Sequence, residues 1–197
     1  MRRSGICVVL LVAALRAAAA VPGGTREVVD AELLGRLRQG VEQAAESAAL
    51  TRELQALLVA RLPPGRADWP PVFQAYEAAL EGLTGKHARL PWDKFNHTKS
   101  GLARLDTLVA AHPDSIEIRA LRYFFCAQLP EFFAVQPTVQ ADFAALLDLY
   151  AREADETVAG DYREQLRQRL LRNSQTDAEA LHPLQDARPI PENEARP

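Results

Sequence analysis

The chain has 197 residues, 48% apolar and 25% charged, with a formal charge of −3. This is ordinary globular composition, and an acidic balance without a basic block argues against nucleic acid or an anionic membrane as partner. Aromatic residues make up only 7%, while alanine and leucine abound, which favours helix over sheet.

Residues 1–20 read as a cleaved secretory signal. Arg2 and Arg3 are followed by an apolar run from Ile6 to Leu15, and Ala18-Ala19-Ala20 offers the small residues of a cleavage site. Arg16 interrupts the run before it reaches the roughly 20 apolar residues of a membrane span. The expected location is therefore periplasmic or secreted, with no stable membrane anchor after cleavage. Cleavage removes Arg2, Arg3 and Arg16 and no acid, which moves the formal charge from −3 to −6. It also removes Cys7 and leaves Cys126 alone, so no internal disulfide can form.

A short leader, residues 21–27, precedes a single helical domain predicted over 28–182. The first helix spans Val28–Val41, with Val29, Leu33, Leu34, Leu37 and Val41 at helical spacing and either Thr25 or Asp30 as its start. The second runs from Ser47 to Leu62, and Pro63-Pro64-Gly65 ends it. Asp68-Trp69-Pro70-Pro71 opens the third, with Asp68 as its expected cap and Val72, Tyr76, Ala79, Leu80, Leu83 and His87 on one face. Gly82 and Gly85 on this helix suit close approach by a neighbour.

Pro91 starts the fourth helix, whose stripe is Phe95, Thr98, Leu102, Leu105 and Val109. His112-Pro113-Asp114-Ser115 is a turn, and Ile118, Leu121, Phe125 and Leu129 form the stripe of the fifth helix, so these two make an antiparallel hairpin. The expectation is that the fold is built around this pair. Pro130 closes the fifth helix. Val139, Phe143, Leu146, Leu147 and Tyr150 mark the sixth, and Tyr162, Leu166 and Leu170 the seventh over Thr157–Arg172. Thr176–Leu181 is a further short turn, and residues 183–197, rich in proline and charge, are a disordered tail. The prediction is all-α: about seven helices in antiparallel hairpins, and no sheet.

No Gly-rich phosphate loop, nucleophile elbow, H-E-x-x-H or C-x-x-C is present, so catalytic residues stay unassigned by motif and no cofactor or metal is predicted. Cys126 lies among Phe124, Phe125 and Leu129 and reads as a buried apolar residue. Asn96-His97-Thr98 matches a glycosylation acceptor by chance. The candidate binding residues are Lys86, His87, Lys94, Glu117, Arg119 and Arg122. Arg119 and Arg122 share a helix face, and with the lysines they suit a carboxylate or phosphate. The competing reading is a structural ion-pair network. Phe132 and Phe133, side by side after Pro130, cannot easily both be buried, which leaves one for a partner.

The junction from Gly101-Leu102 through Ala110-Ala111-His112-Pro113-Asp114 resembles a tetratricopeptide repeat, although no 34-residue period is sustained. In the wider order, Ala75-Tyr76, Lys86-His87, Pro91, Lys94-Phe95, Gly101, Pro113, Glu117-Ile118-Arg119, Leu121-Arg122, Pro130 and Phe132 resemble a group of uncharacterised exported bacterial proteins. That resemblance implies an exported all-helical bacterial protein and supplies no activity. The function expected is a binding or scaffold module of the cell envelope, with a protein partner or a small anionic ligand and no nucleic acid. The alternative is a small enzyme in which Glu117 acts as acid or base while Arg119, Arg122 or His87 orients an anionic substrate.

Overall fold

The computed structural model describes residues 30–152, Asp155, Val158 and 160–173. The signal segment, the leader, the Thr176–Leu181 turn and the tail lie outside the described residues. Among the described residues there are seven α-helices and no strand: α1 (Ala31–Ala44), α2 (Ala48–Arg61), α3 (Pro71–His87), α4 (Pro91–Ala111), α5 (Ile116–Ala127), α6 (Gln136–Ala151) and α7 (Gly160–Asn173). The all-α prediction holds.

Local chemistry accounts for the boundaries. Asp30 and Ser47 accept the Leu33 and Leu50 N–H groups at 3.0 and 3.2 Å, so α1 starts at Ala31 and α2 at Ala48. Asp68 does not cap α3. It lies in a 3-10 turn at 66–68, and Pro70 takes the cap position, with Pro71 starting the helix. Ser115 precedes α5, and the Asp155 carboxylate reaches the Ile116 N–H at 2.8 Å, which ties the segment before α7 to the α5 start.

The closest helix pair is α3 with α4, not the α4–α5 hairpin. Glycines explain this. A Cβ on Gly101 would sit 2.5 Å from the Ala78 carbonyl oxygen, and one on Gly85 would sit 2.7 Å from the Lys94 carbonyl oxygen. A Cβ on Gly82 would overlap the Phe125 ring, so α5 also seats directly on α3. Phe73, Ala75, Tyr76, Ala78 and Leu80 are fully buried, and α3 is enclosed on nearly every side rather than on the single face its spacing suggests.

The apolar interior falls into two clusters that share α5. Ile118 and Leu121 join α1–α4 around Leu37, Leu58, Phe73 and Leu105. Ile116, Ala120, Tyr123 and Phe124 join α6 and α7 around Leu146, Tyr150 and Leu170. The α5 helix is thus the partition of the fold. Each such buried large apolar side chain contributes roughly 1.5–3 kcal/mol.

Candidate functional site

The six sequence-predicted binding residues do not form one cluster. Glu117 is 3% exposed and points toward α1. Arg38 grips it with two bonds, Nε to Oε1 at 2.9 Å and Nη2 to Oε2 at 2.6 Å, and the Tyr76 hydroxyl donates to Oε1 at 2.7 Å. With the Tyr76 hydrogen so used, the Tyr162 hydroxyl, 3.0 Å away, donates to the Tyr76 oxygen. The Tyr162 ring also lies 4.1 Å beneath the Arg38 guanidinium. Burial opposes the Arg38 charge, but the bonds to Glu117 outweigh it and its pKa is raised. Burial, reinforced by the Glu117 charge, lifts Tyr162 to about 12. Every oxygen of Glu117 is occupied, an arrangement that locks α1, α3, α5 and α7 together.

Arg119 and Arg122 turn the other way, to Asp142 on α6, which is fully buried. Arg119 Nη1 donates to Oδ1 at 3.0 Å, while Arg122 donates through Nε to Oδ2 at 2.8 Å and through Nη2 to Oδ1 at 2.6 Å. Arg119 also reaches the Pro113 carbonyl and Arg122 reaches Asp106. Bonding to Asp142 raises the Arg122 pKa despite its burial. Next to this joint, burial pushes the Cys126 thiol up to about 12, so it carries no reactive thiolate at neutral pH. His87 Nε2 lies 2.8 Å from the Ala44 carbonyl and so carries its proton there, and His97 Nδ1 lies 2.9 Å from Glu81. The acceptor pattern at Asn96 falls within α4, with Thr98 buried.

Lys86 and Lys94 are different. They line a groove of about 490 Å³ where α3, α4 and the end of α5 meet. From α3 come Gly82, Leu83, Gly85 and Lys86, and from α4 come Pro91, Lys94, Phe95 and Thr98. Phe125 and Gln128 follow from α5, and Leu129, Pro130, Phe132 and Phe133 from the chain after it. The volume falls within the range of small-ligand sites.

The groove is apolar and its rim faces solvent. Trp92 is 71% exposed and Phe132 is 73% exposed, with Phe95 and Leu90 also exposed. The rings form a chain: Trp92 is 6.4 Å from Phe95, Phe95 stacks on Phe133 at 5.7 Å, and Phe133 meets Phe132 at 4.5 Å. Lys99 sits over the Phe95 ring at 5.3 Å. No acidic residue lines the groove. Lys86 reaches Glu46 at 2.7 Å, and that bond holds the Glu46 carboxyl below its usual range. Lys94 has no ion pair among the described residues. In two smaller grooves some charges are paired, Arg36 with Glu53 and Arg169 with Glu42.

Sequence reasoning missed the groove because it assigned these aromatics mainly to packing. Two signals pointed to it: the Phe132-Phe133 doublet after a helix-ending proline, and Trp92 in the first turn of a helix whose apolar stripe lies elsewhere. No protein-family model matches this chain, and no curated protein and no solved structure matches it.

Proposed function

We propose that this chain is an exported helical binding module of the bacterial cell envelope, and that it takes a ligand with an apolar body in the α3–α4–α5 groove. The observation that carries this is an apolar groove lined by solvent-facing Phe95 and Phe132, with Trp92 against Phe95, set beside deep carboxylates that arginines hold. Glu117 lines none of the grooves described and is held on both oxygens by Arg38 and Tyr76, which favours a structural role for it. The basic start, apolar run and alanine triplet support export, and the resemblance to exported bacterial helical proteins supports the compartment. The tetratricopeptide-like junction at Pro113 agrees with a hairpin scaffold that presents a surface.

The test has two parts. Expression in a bacterial host should yield an exported product that begins at Val21. Titration of that product with dodecanol should shift backbone amide resonances around Gly85, Phe95 and Gln128. Phe132→Ser should weaken those shifts while stability changes by no more than about 0.5 kcal/mol, since that ring is 73% exposed. A product retained in the cytoplasm sinks the localisation; shifts that map elsewhere, or none, sink the groove.

A further inference from the structure

Taking the groove as the binding surface, an assumption that rests on the proposal above, we infer that its ligand is a small amphipathic anion. The apolar body lies along Phe125, Leu129 and the aromatic rim, and the anionic head lies against Lys86, Lys94 and Thr98. Charge is the first argument. The chain carries a net −3, yet the groove is lined by two cations and no acid. Lys94 lies in the first turn of α4, where the free amides and the helix dipole add to the positive field, and no side chain caps that end. Asp93 shares this turn but does not line the groove. Lys86 comes from the last turn of α3. Its one acidic partner, Glu46, is 84% exposed and is released to water without a buried charge left behind.

Thr98 is the second argument, and it is independent of charge. It follows Lys94 by one helical turn and so shares its face. It is 7% exposed and lines the groove. Thr84 and Thr107 return their hydroxyl hydrogens to the Leu80 and Ala103 carbonyls, at 3.1 and 3.0 Å. Thr98 makes no such bond among the described residues, and its Oγ1 lies beside Gly85, another residue of the groove lining. A hydroxyl that bonds no other residue is free to donate to an anion bound beside it, a charge-assisted bond stronger than a neutral one. A neutral apolar ligand explains the aromatic rim, but it does not explain two cations and an idle donor on one side of it.

The experiment compares dodecanoate, dodecanol and dodecyltrimethylammonium, each below its aggregation concentration, with calorimetry and amide shifts as readouts on the exported chain. Dodecanoate should bind in the groove, with the cationic amphiphile weakest. Lys94→Gln should weaken dodecanoate about fivefold, and Lys86→Gln with Lys94→Gln about twentyfold, with dodecanol unchanged. Thr98→Val should weaken dodecanoate by a further few-fold without loss of helix content. The dodecanoate affinity should fall as salt is raised, while that of dodecanol should not. Equal binding of dodecanoate and dodecanol, indifferent to both lysines, overturns this inference and leaves the groove intact as a binding surface. Binding of none of the three overturns the groove as well.

Discussion

Replacing Asp142 by asparagine is the sharpest test of how this fold holds its charges. The carboxylate is fully buried and takes three hydrogen bonds from Arg119 and Arg122, whose side chains are only 12% and 14% exposed. Removing one partner of a buried ion pair costs about 3–5 kcal/mol, because the remaining charge stays out of water without compensation. Arg122 keeps its bond to Asp106, so the loss falls mainly on Arg119, whose other acceptor is the Pro113 carbonyl and whose Nε already lacks one. This places Asp142→Asn near the lower end, about 3 kcal/mol. For a chain of this size that corresponds to a fall in Tm of roughly 6–12 °C. Asp106→Asn is the control: it removes a charge that is 51% exposed and should cost no more than about 1 kcal/mol. Urea unfolding followed by circular dichroism reads both as a shift in midpoint at constant slope. If Asp142→Asn stays within about 1 kcal/mol of the parent, or Asp106→Asn costs as much, the buried joint is not what fixes α5 to α6.

Two more expectations follow from glycines and tyrosines. Gly35→Ala should stabilise by roughly 0.5–1 kcal/mol, since its Cβ would meet nothing within 4 Å and the change only improves helix propensity. The same change at Gly101 should destabilise by about 1–3 kcal/mol, because its Cβ would press on the Ala78 carbonyl and the Gly82 backbone, which have no rotamer by which to retreat; opposite signs in thermal unfolding check this, and equal signs refute it. All four tyrosines have raised pKa values, chiefly from burial: Tyr76, Tyr123, Tyr150 and Tyr162. The fold therefore holds the neutral phenol. The associated stability is complete below the unfolded pKa of about 10 and is lost as pH climbs through the folded values, that of Tyr162 being about 12. Ultraviolet titration should show tyrosinate only together with loss of the helical signal. A tyrosine that ionises near pH 10 in an intact helical protein would contradict this burial.

The elements were legible because they rest on local chemistry. Ser47, Pro91 and Pro113 mark starts and stops that depend on nearby residues alone. The α3 environment was less legible: a single apolar face was read from Val72 to His87, whereas small residues at Ala75, Ala78 and Gly82 let neighbours close in on the other sides. Enclosure also captured Glu77, which Arg66 and Arg104 hold from two different elements. The candidate cluster shows why the polar groups were harder. Glu117, Arg119 and Arg122 were grouped by nearness in sequence, yet positions two apart on a helix point to nearly opposite sides. Glu117 accordingly meets α1 and the arginines meet α6. Their partners lie far along the chain, Arg38 at a separation of 79 residues, and no periodicity reports a pairing of that kind.

The groove then follows from how α5 ends. Pro130 stops the helix, and Ala134 takes a left-handed conformation at φ 53°, which returns the chain so that Val135 is buried while Phe132 stays outside. A phenylalanine left in water forgoes roughly 1.5–3 kcal/mol of burial. The chain accepts this at Phe132, which lines the groove, and again at Trp92, whose ring neighbours that of Phe95, while its deep carboxylates at Glu117, Asp142 and Glu77 are each matched by arginine. The bare aromatics, Lys94 with no ion pair among the described residues and Thr98 with no hydroxyl partner among them are the features on which the proposed binding reading rests.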